Sequence, residues 1–185
     1  MNPLWLSAAL WLLFILYWSA AARNATPAKR SESSGSRQLH ELLLNGALLL
    51  LFLRIPGLNA RWLPVTPAVV PIGLTLQTAC ALLAVWARRH LGRNWSGAIT
   101  EKVDHELVRT GPYRWIRHPI YTAMLGMYLG TAMVSGELHA LVGVAMVLAA
   151  YWRKIRLEEL NLRQVFGTAY DDYRGQSWAL IPGLY

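Results

Sequence analysis

Residues 117–160, RHPIYTAMLGMYLGTAMVSGELHALVGVAMVLAAYWRKIRLEEL, decide how this chain folds. Two apolar runs are separated only by Ser135-Gly136-Glu137, a turn too short for anything but antiparallel neighbours. Each run ends in a dense polar cluster, RHPIY before the first and RKIRLEEL after the second. A hairpin of two helices therefore brings Arg117, His118 and Tyr121 close to Glu158 and Glu159, about forty residues away in sequence.

Working outward, other apolar blocks have similar length. Residues 4–22 form a first span, too long and with too little basic charge ahead of it for a signal peptide. Residues 39–55 form a second, short one. Residues 69–86 form a third, with Pro71 near its start, where proline is tolerated. The hairpin supplies spans four (119–134) and five (138–152). The expected fold is all-α and integral to a membrane. It has about five transmembrane helices, with a cytoplasmic loop and a C-terminal helix forming a cofactor pocket. Residues 1–87, which include a polar, turn-rich linker over 23–38, make an N-terminal half, and residues 88–185 make a cofactor-binding core, within one membrane domain.

Composition agrees. The chain has 185 residues, 55% hydrophobic and 15% charged, with its apolar residues in blocks rather than spread through a soluble pattern. The net charge of +8 is explained by topology, not nucleic acid. With the N-terminus outside, residues 23–38, 88–118 and the tail lie inside and carry 16 of the 18 Lys and Arg residues; only Arg54 and Arg61 fall outside. Trp5, Trp18, Trp62, Trp86 and Trp152 at the span ends read as an interfacial belt without chemical duty. The single cysteine, Cys80, reads as a small buried hydrophobe, and the two glycosylation-like sequons at Asn24 and Asn94 read as coincidence on the inner side. No GxGxxG after a strand, HExxH or P-loop is present.

The segment from Ala87 to His118 is too long for a connector, and the tail after Trp152 is a charged helix with Leu157, Leu160, Val165 and Phe166 as its apolar positions and Gly167 at its end or bend. Taken singly, Pro119 is a good first helical residue, Arg114 and Arg117 can snorkel to headgroups, and Glu158-Glu159 can be a solvated helix turn. Taken together they make a pocket of carboxylates, tyrosine faces and a histidine. A ligand with an amino group, a cationic centre and an adenine, such as S-adenosylmethionine, suits it, as do other ligands.

LGRNWSGAITEKVDHELVRTGPYRWIRHPIYTAMLG, followed by EELNLRQVFGTAYDDY, resembles the isoprenylcysteine carboxyl methyltransferase family and the related phospholipid methyltransferases, over about half the chain. The resemblance implies an integral membrane enzyme that transfers a methyl group from S-adenosylmethionine to a lipophilic acceptor such as a prenylated cysteine, entering from the bilayer. Cofactor contacts then fall on His105, Leu107, Val108, Tyr113, His118, Pro119, Tyr121 and Glu158, and no metal is expected. Glu159 completes the acidic pair. Lys154, standing where the family usually has arginine, faces the acceptor with Arg153 and Arg156 beside it. Ala123 replaces the family's more usual glycine. Other acceptors, a phospholipid or a small lipophilic amine or thiol, fit the same motifs, while a sterol-type reductase using NADPH shares RHPxY alone. A membrane scaffold without catalysis is the third class.

Overall fold

The computed structural model describes residues 3–23, 28–64, 66–102 and 106–184. Five long helices stand where the apolar blocks predict them: α1 (Leu4–Ala22), α2 (Ser34–Phe52), α3 (Val69–Leu91), α4 (Pro119–Ser135) and α5 (Leu138–Phe166). A short α6 (Thr168–Gly175) follows. By length and composition α1, α3 and α5 are able to cross a bilayer. α4 has 17 residues, about 26 Å of helix, slightly under a typical hydrocarbon core.

The bilayer is the solvent that explains α1. This helix buries Ser7, Trp11 and Phe14 and leaves Leu6, Leu12, Leu13 and Leu16 exposed. A water-soluble helix would do the reverse. The buried serine has a purpose. Ser7 Oγ donates to Gln77 Oε1 of α3 at 2.6 Å, Gln77 Nε2 donates to the Ser7 carbonyl at 3.1 Å, and Trp11 Nε1 donates to Thr131 Oγ1 of α4 at 2.9 Å. Polar side chains that satisfy one another between helices replace the hydrophobic drive that lipid does not supply.

Close backbone approach does the rest. A Cβ on Gly130 of α4 would lie 2.6 Å from the Gly73 carbonyl oxygen of α3, and one on Gly73 would lie 2.7 Å from the Gly130 carbonyl oxygen. Gly126 abuts the side chain of Cys80, which is half-buried rather than buried. In the same way Gly143 of α5 leaves room for the Ala47 carbonyl of α2. Gly130→Ala should therefore lower the thermal stability of the protein in lipid nanodiscs, by about 1–3 kcal/mol for an overpacked contact that only backbone movement can relieve. Scanning fluorimetry on the intrinsic tryptophans reads this directly, and an unchanged melt would show the α3–α4 contact to be loose.

The turn between α4 and α5 is closed by Gly136 in the left-handed region, φ +68°, its N–H donating to the Ala132 carbonyl at 2.8 Å. Residues 58–62 cap it from outside, through Trp62 N–H to the Gly136 carbonyl at 3.0 Å and Leu138 N–H to the Ala60 carbonyl at 2.9 Å.

Two expectations change. The linker over 23–38 holds structure: β1 (Ala28–Ser31) pairs antiparallel with β2 (Thr100–Lys102) of the long loop, and α2 begins at Ser34, with Ser33 Oγ accepting from Ser36 N–H. A capping serine starts the helix inside the polar stretch, where hydrophobicity alone placed no start. α2 also stops at Phe52, because Ile55 precedes Pro56 and the chain is already extended at Leu53. The second difference is Trp18, which leaves the interfacial belt and stacks on Phe14 at 5.2 Å while meeting Trp95 edge-on at 5.5 Å.

Candidate functional site

The site begins at the turn before α4. Gly111, at φ +58°, sits against the His90 ring, so close that a Cβ there would lie 2.6 Å from it. The 3-10 turn Gly111–Arg114 that follows buries Pro112 and Tyr113. Residues 115–118 then run alongside the tail: Trp178 N–H donates to the Trp115 carbonyl at 2.9 Å, Arg117 N–H to the Trp178 carbonyl at 2.8 Å, and His118 N–H to the Ala179 carbonyl at 3.1 Å. Pro119 opens α4 as its first residue, needing no donor of its own. It is fully buried behind the cavity wall rather than facing the cavity.

The hairpin delivers the expected meeting. Tyr121 Oη donates to Glu158 Oε1 at 2.6 Å. His118 lies between the two carboxylates, Nδ1 3.5 Å from Glu158 Oε2 and Nε2 3.4 Å from Glu159 Oε1. Burial alone pulls this imidazole's pKa down, but its bonds to Glu158 and Glu159 more than offset that and hold it above its ordinary value. The two glutamates then part company. Glu158 borders the cavity. Glu159 turns behind it to accept from Arg117 Nε at 2.8 Å and to meet Arg174 Nε of α6 at 3.6 Å. Arg117 does not snorkel: it borders the cavity with its side chain only 9% exposed, and its Nη1 donates to the carbonyls of Ser177 and Arg174.

The cavity encloses about 310 Å³, at the lower end for a small-molecule site. Leu107, Val108, Tyr113, His118, Tyr121, Lys154 and Glu158 all border it, so most of the residues singled out in the sequence converge. His105 lies outside the described residues. Arg153 turns away and donates to Ser36 Oγ at 2.8 Å. Lys154 is buried, its Nζ donating to the Gly97 carbonyl at 2.8 Å with Glu32 Oε1 at 3.6 Å. Ala123 packs in the helix core, away from the cavity.

Several lining residues are not among the cofactor contacts expected from the sequence. Trp18 and His40 come from α1 and α2, Trp95 from the loop, Tyr151 from α5, and Tyr170 and Tyr173 from α6. The loop is held down as a cover: Glu32 N–H donates to the Ile99 carbonyl at 2.9 Å, and Ile99 N–H donates back to Glu32 Oε1 at 3.2 Å. Tyr173 Oη donates to the Tyr113 carbonyl at 2.6 Å and locks α6 onto the 3-10 turn.

Fold and site together define a helical membrane protein with a part-polar small-molecule cavity at one end of its helices. The model of the isoprenylcysteine carboxyl methyltransferase (ICMT) family matches residues 72–164, half of the chain, and the protein belongs to that family. It is 30% identical over 97 residues to a protein-S-isoprenylcysteine O-methyltransferase of Dictyostelium discoideum, covering 51% of this chain and 41% of that one. It is 30% identical over 130 residues to protein-S-isoprenylcysteine O-methyltransferase B of Arabidopsis thaliana, covering 69% of this chain and 64% of that one. The fold is similar to the solved structure of the eukaryotic intramembrane Ras methyltransferase ICMT, at 25% identity and a TM-score of 0.56, over 83% of this chain and 54% of that one. The chain thus spans about two fifths of the length of the Dictyostelium relative.

Proposed function

We propose that this protein is a membrane methyltransferase that uses S-adenosylmethionine to methylate the carboxylate of a prenylated cysteine. The observation that carries the reading is the meeting of RHPIY and Glu158-Glu159 across the α4–α5 hairpin, where a part-buried carboxylate ends a row of aromatic faces inside one cavity. Family membership and the names of the relatives support it.

The residues fit the cofactor. Glu158 offers a carboxylate to an ammonium group, and Tyr121 and Tyr151, stacked at 4.5 Å, offer ring faces to a cationic centre. The Tyr113 hydroxyl is buried and without a hydrogen-bond partner among the described residues, a group that a polar ligand would satisfy. When bound, S-adenosylmethionine supplies an electrophilic methyl group. An acceptor carboxylate is already ionised at neutral pH, so no general base is required. The chain's own contribution is alignment and exclusion of water. The loop cover and α6 roof the cavity, and Lys154 orients the acceptor. The N-terminus lies outside and the site faces the cytoplasm, because the basic residues cluster at the cavity end.

The experiment uses purified protein in lipid nanodiscs. Calorimetric titration should give micromolar binding of S-adenosylmethionine but none of NADPH. Label from its methyl group should pass to N-acetyl-S-farnesylcysteine as a base-labile ester, in preference to phosphatidylethanolamine, fatty acids or small thiols. Absence of S-adenosylmethionine binding overturns the reading, and transfer to an amine or thiol instead reassigns the acceptor.

A further inference from the structure

The cavity has a second polar end. The rings of His118, Tyr121, Tyr151 and His40 follow one another at centroid separations of 5.5, 4.5 and 5.6 Å. Helices α4, α5 and α2 thereby lay down one aromatic row. Glu158 marks the His118 and Tyr121 end through its bond to Tyr121. His40 closes the other end.

His40 is 7% exposed and borders the cavity, and its Nδ1 has no hydrogen-bond partner among the described residues. A ring nitrogen left unpaired in a buried place is a cost that packing against Tyr151 does not require, since phenylalanine would pack as well. The charged groups acting on it are Lys154, Arg153 and Glu158 of α5 and Glu32 ahead of α2. Of these cations, Arg153 is turned onto Ser36, whereas Lys154 borders the cavity as His40 does. The Lys154 ammonium has three donors and gives one to the Gly97 carbonyl; its distance to Glu32, 3.6 Å, is beyond a good hydrogen bond. Two groups that border the cavity and act on one another, an imidazole and an ammonium, then both have hydrogen-bonding capacity to spare.

We propose that His40 is a specificity-determining residue: with Lys154 it binds the carboxylate of the acceptor, at the end of the aromatic row opposite Glu158. His40 lies before residues 72–164, the part matched by the family, so this selectivity belongs to the N-terminal wall of this particular chain. The assignment rests on the methyltransferase reading for which end the cofactor takes, and it extends that reading to how a free acid is told from a neutral head group. Two donors on one carboxylate are charge-assisted bonds, and a neutral carboxamide cannot replace them.

The test is equilibrium binding to protein in phosphatidylcholine nanodiscs, without turnover. N-acetyl-S-farnesylcysteine is compared with its carboxamide, while S-adenosylmethionine affinity is titrated separately. The native protein should prefer the acid by about tenfold or more. His40→Phe keeps the ring against Tyr151 and should abolish the preference, His40→Gln keeps a donor and should restore much of it, and neither should change S-adenosylmethionine affinity. The proposal is overturned if the native protein does not discriminate acid from amide, if the phenylalanine variant still does, or if S-adenosylmethionine affinity falls in parallel, which would put His40 in the cofactor half. Failure of the native protein to bind S-adenosylmethionine overturns the methyltransferase reading instead, and the two titrations keep those failures apart.

Discussion

Glu158→Gln should abolish cofactor binding while leaving the protein folded. The glutamine keeps a side-chain oxygen to accept from Tyr121, now at 2.6 Å from Glu158 Oε1, and it keeps the volume of the native residue. What it removes is the negative charge bordering the cavity. The other cavity carboxylates do not replace it: Glu106 is exposed, and Glu41 is exposed and tied to Arg37 at 2.7 Å. Glu159 is behind the wall, committed to Arg117. A desolvated charge pair that loses one partner gives up 2–5 kcal/mol or more, so affinity for S-adenosylmethionine should fall by about a hundredfold or beyond. The melting temperature should move little, because the Glu159 side of His118 is retained. Glu159→Gln should show the opposite balance, with a lower melt and a smaller effect on affinity. Titration calorimetry and scanning fluorimetry on the two variants decide the matter, and equal effects on both readouts would mean that the glutamates act as one unit.

That division of labour marks the limit of what could be read in the sequence. The hairpin was legible, since two apolar runs around Ser135-Gly136-Glu137 admit one arrangement and bring His118 to Glu158. The placement of α1, α3, α4 and α5 was legible for the same reason, because a bilayer-length apolar block has few alternatives. Which face of the α5 turn each glutamate occupies was not, because adjacent helical residues point about 100° apart and only the packing partner chooses between them. Arg117 shows why. At a membrane boundary an arginine reads as snorkelling, and only the return of the tail alongside residues 115–118 supplies the Arg174 and Ser177 carbonyls that hold it. Trp18 and Trp95 read as belt and loop for a similar reason, since their edge-on contact joins α1 to a segment far along the chain. His40 has no motif at all. It becomes visible only when α2 packs on α5 and leaves its ring at the end of the aromatic row.

The arrangement also explains how so small a cavity is partly covered. Its walls are membrane helices, but its roof is made of segments with little apolar surface of their own. Such segments are held by polar bonds, Lys154 of α5 to Gly97, Glu32 ahead of α2 to Ile99 and Tyr173 of α6 to Tyr113 of the 3-10 turn. Regions fixed by a few bonds open more readily than packed helices, which lets a roof admit ligands without disturbing the bundle.

Arg117→Ala should release the tail. The side chain of Arg117 is only 9% exposed and that of Glu159 15%, and the guanidinium also holds two backbone carbonyls from Arg174 and Ser177. Removing it takes the nearest cation from a mostly buried carboxylate, which keeps His118 at 3.4 Å and Arg174 at 3.6 Å, and frees two acceptors as well, a loss below the roughly 3–5 kcal/mol of a fully stranded buried charge. Lysine should not rescue, since a single ammonium cannot reach a carboxylate and two carbonyls in the fan that a guanidinium offers. The helices α1 to α5 make their contacts elsewhere, so the damage should concentrate in residues 168–184. Limited proteolysis in nanodiscs should cut the variant there at protease levels that leave the native protein whole, and hydrogen exchange should rise over α6 first. Because Tyr170 and Tyr173 border the cavity from α6, and Arg117 itself borders it, ligand affinity should fall with the loss of that roof. Excess ligand should then partly restore protection of the tail, by linkage between binding and closure. A variant that keeps its tail protected would show that the main-chain pairing of 115–118 with 178–179 suffices without the guanidinium.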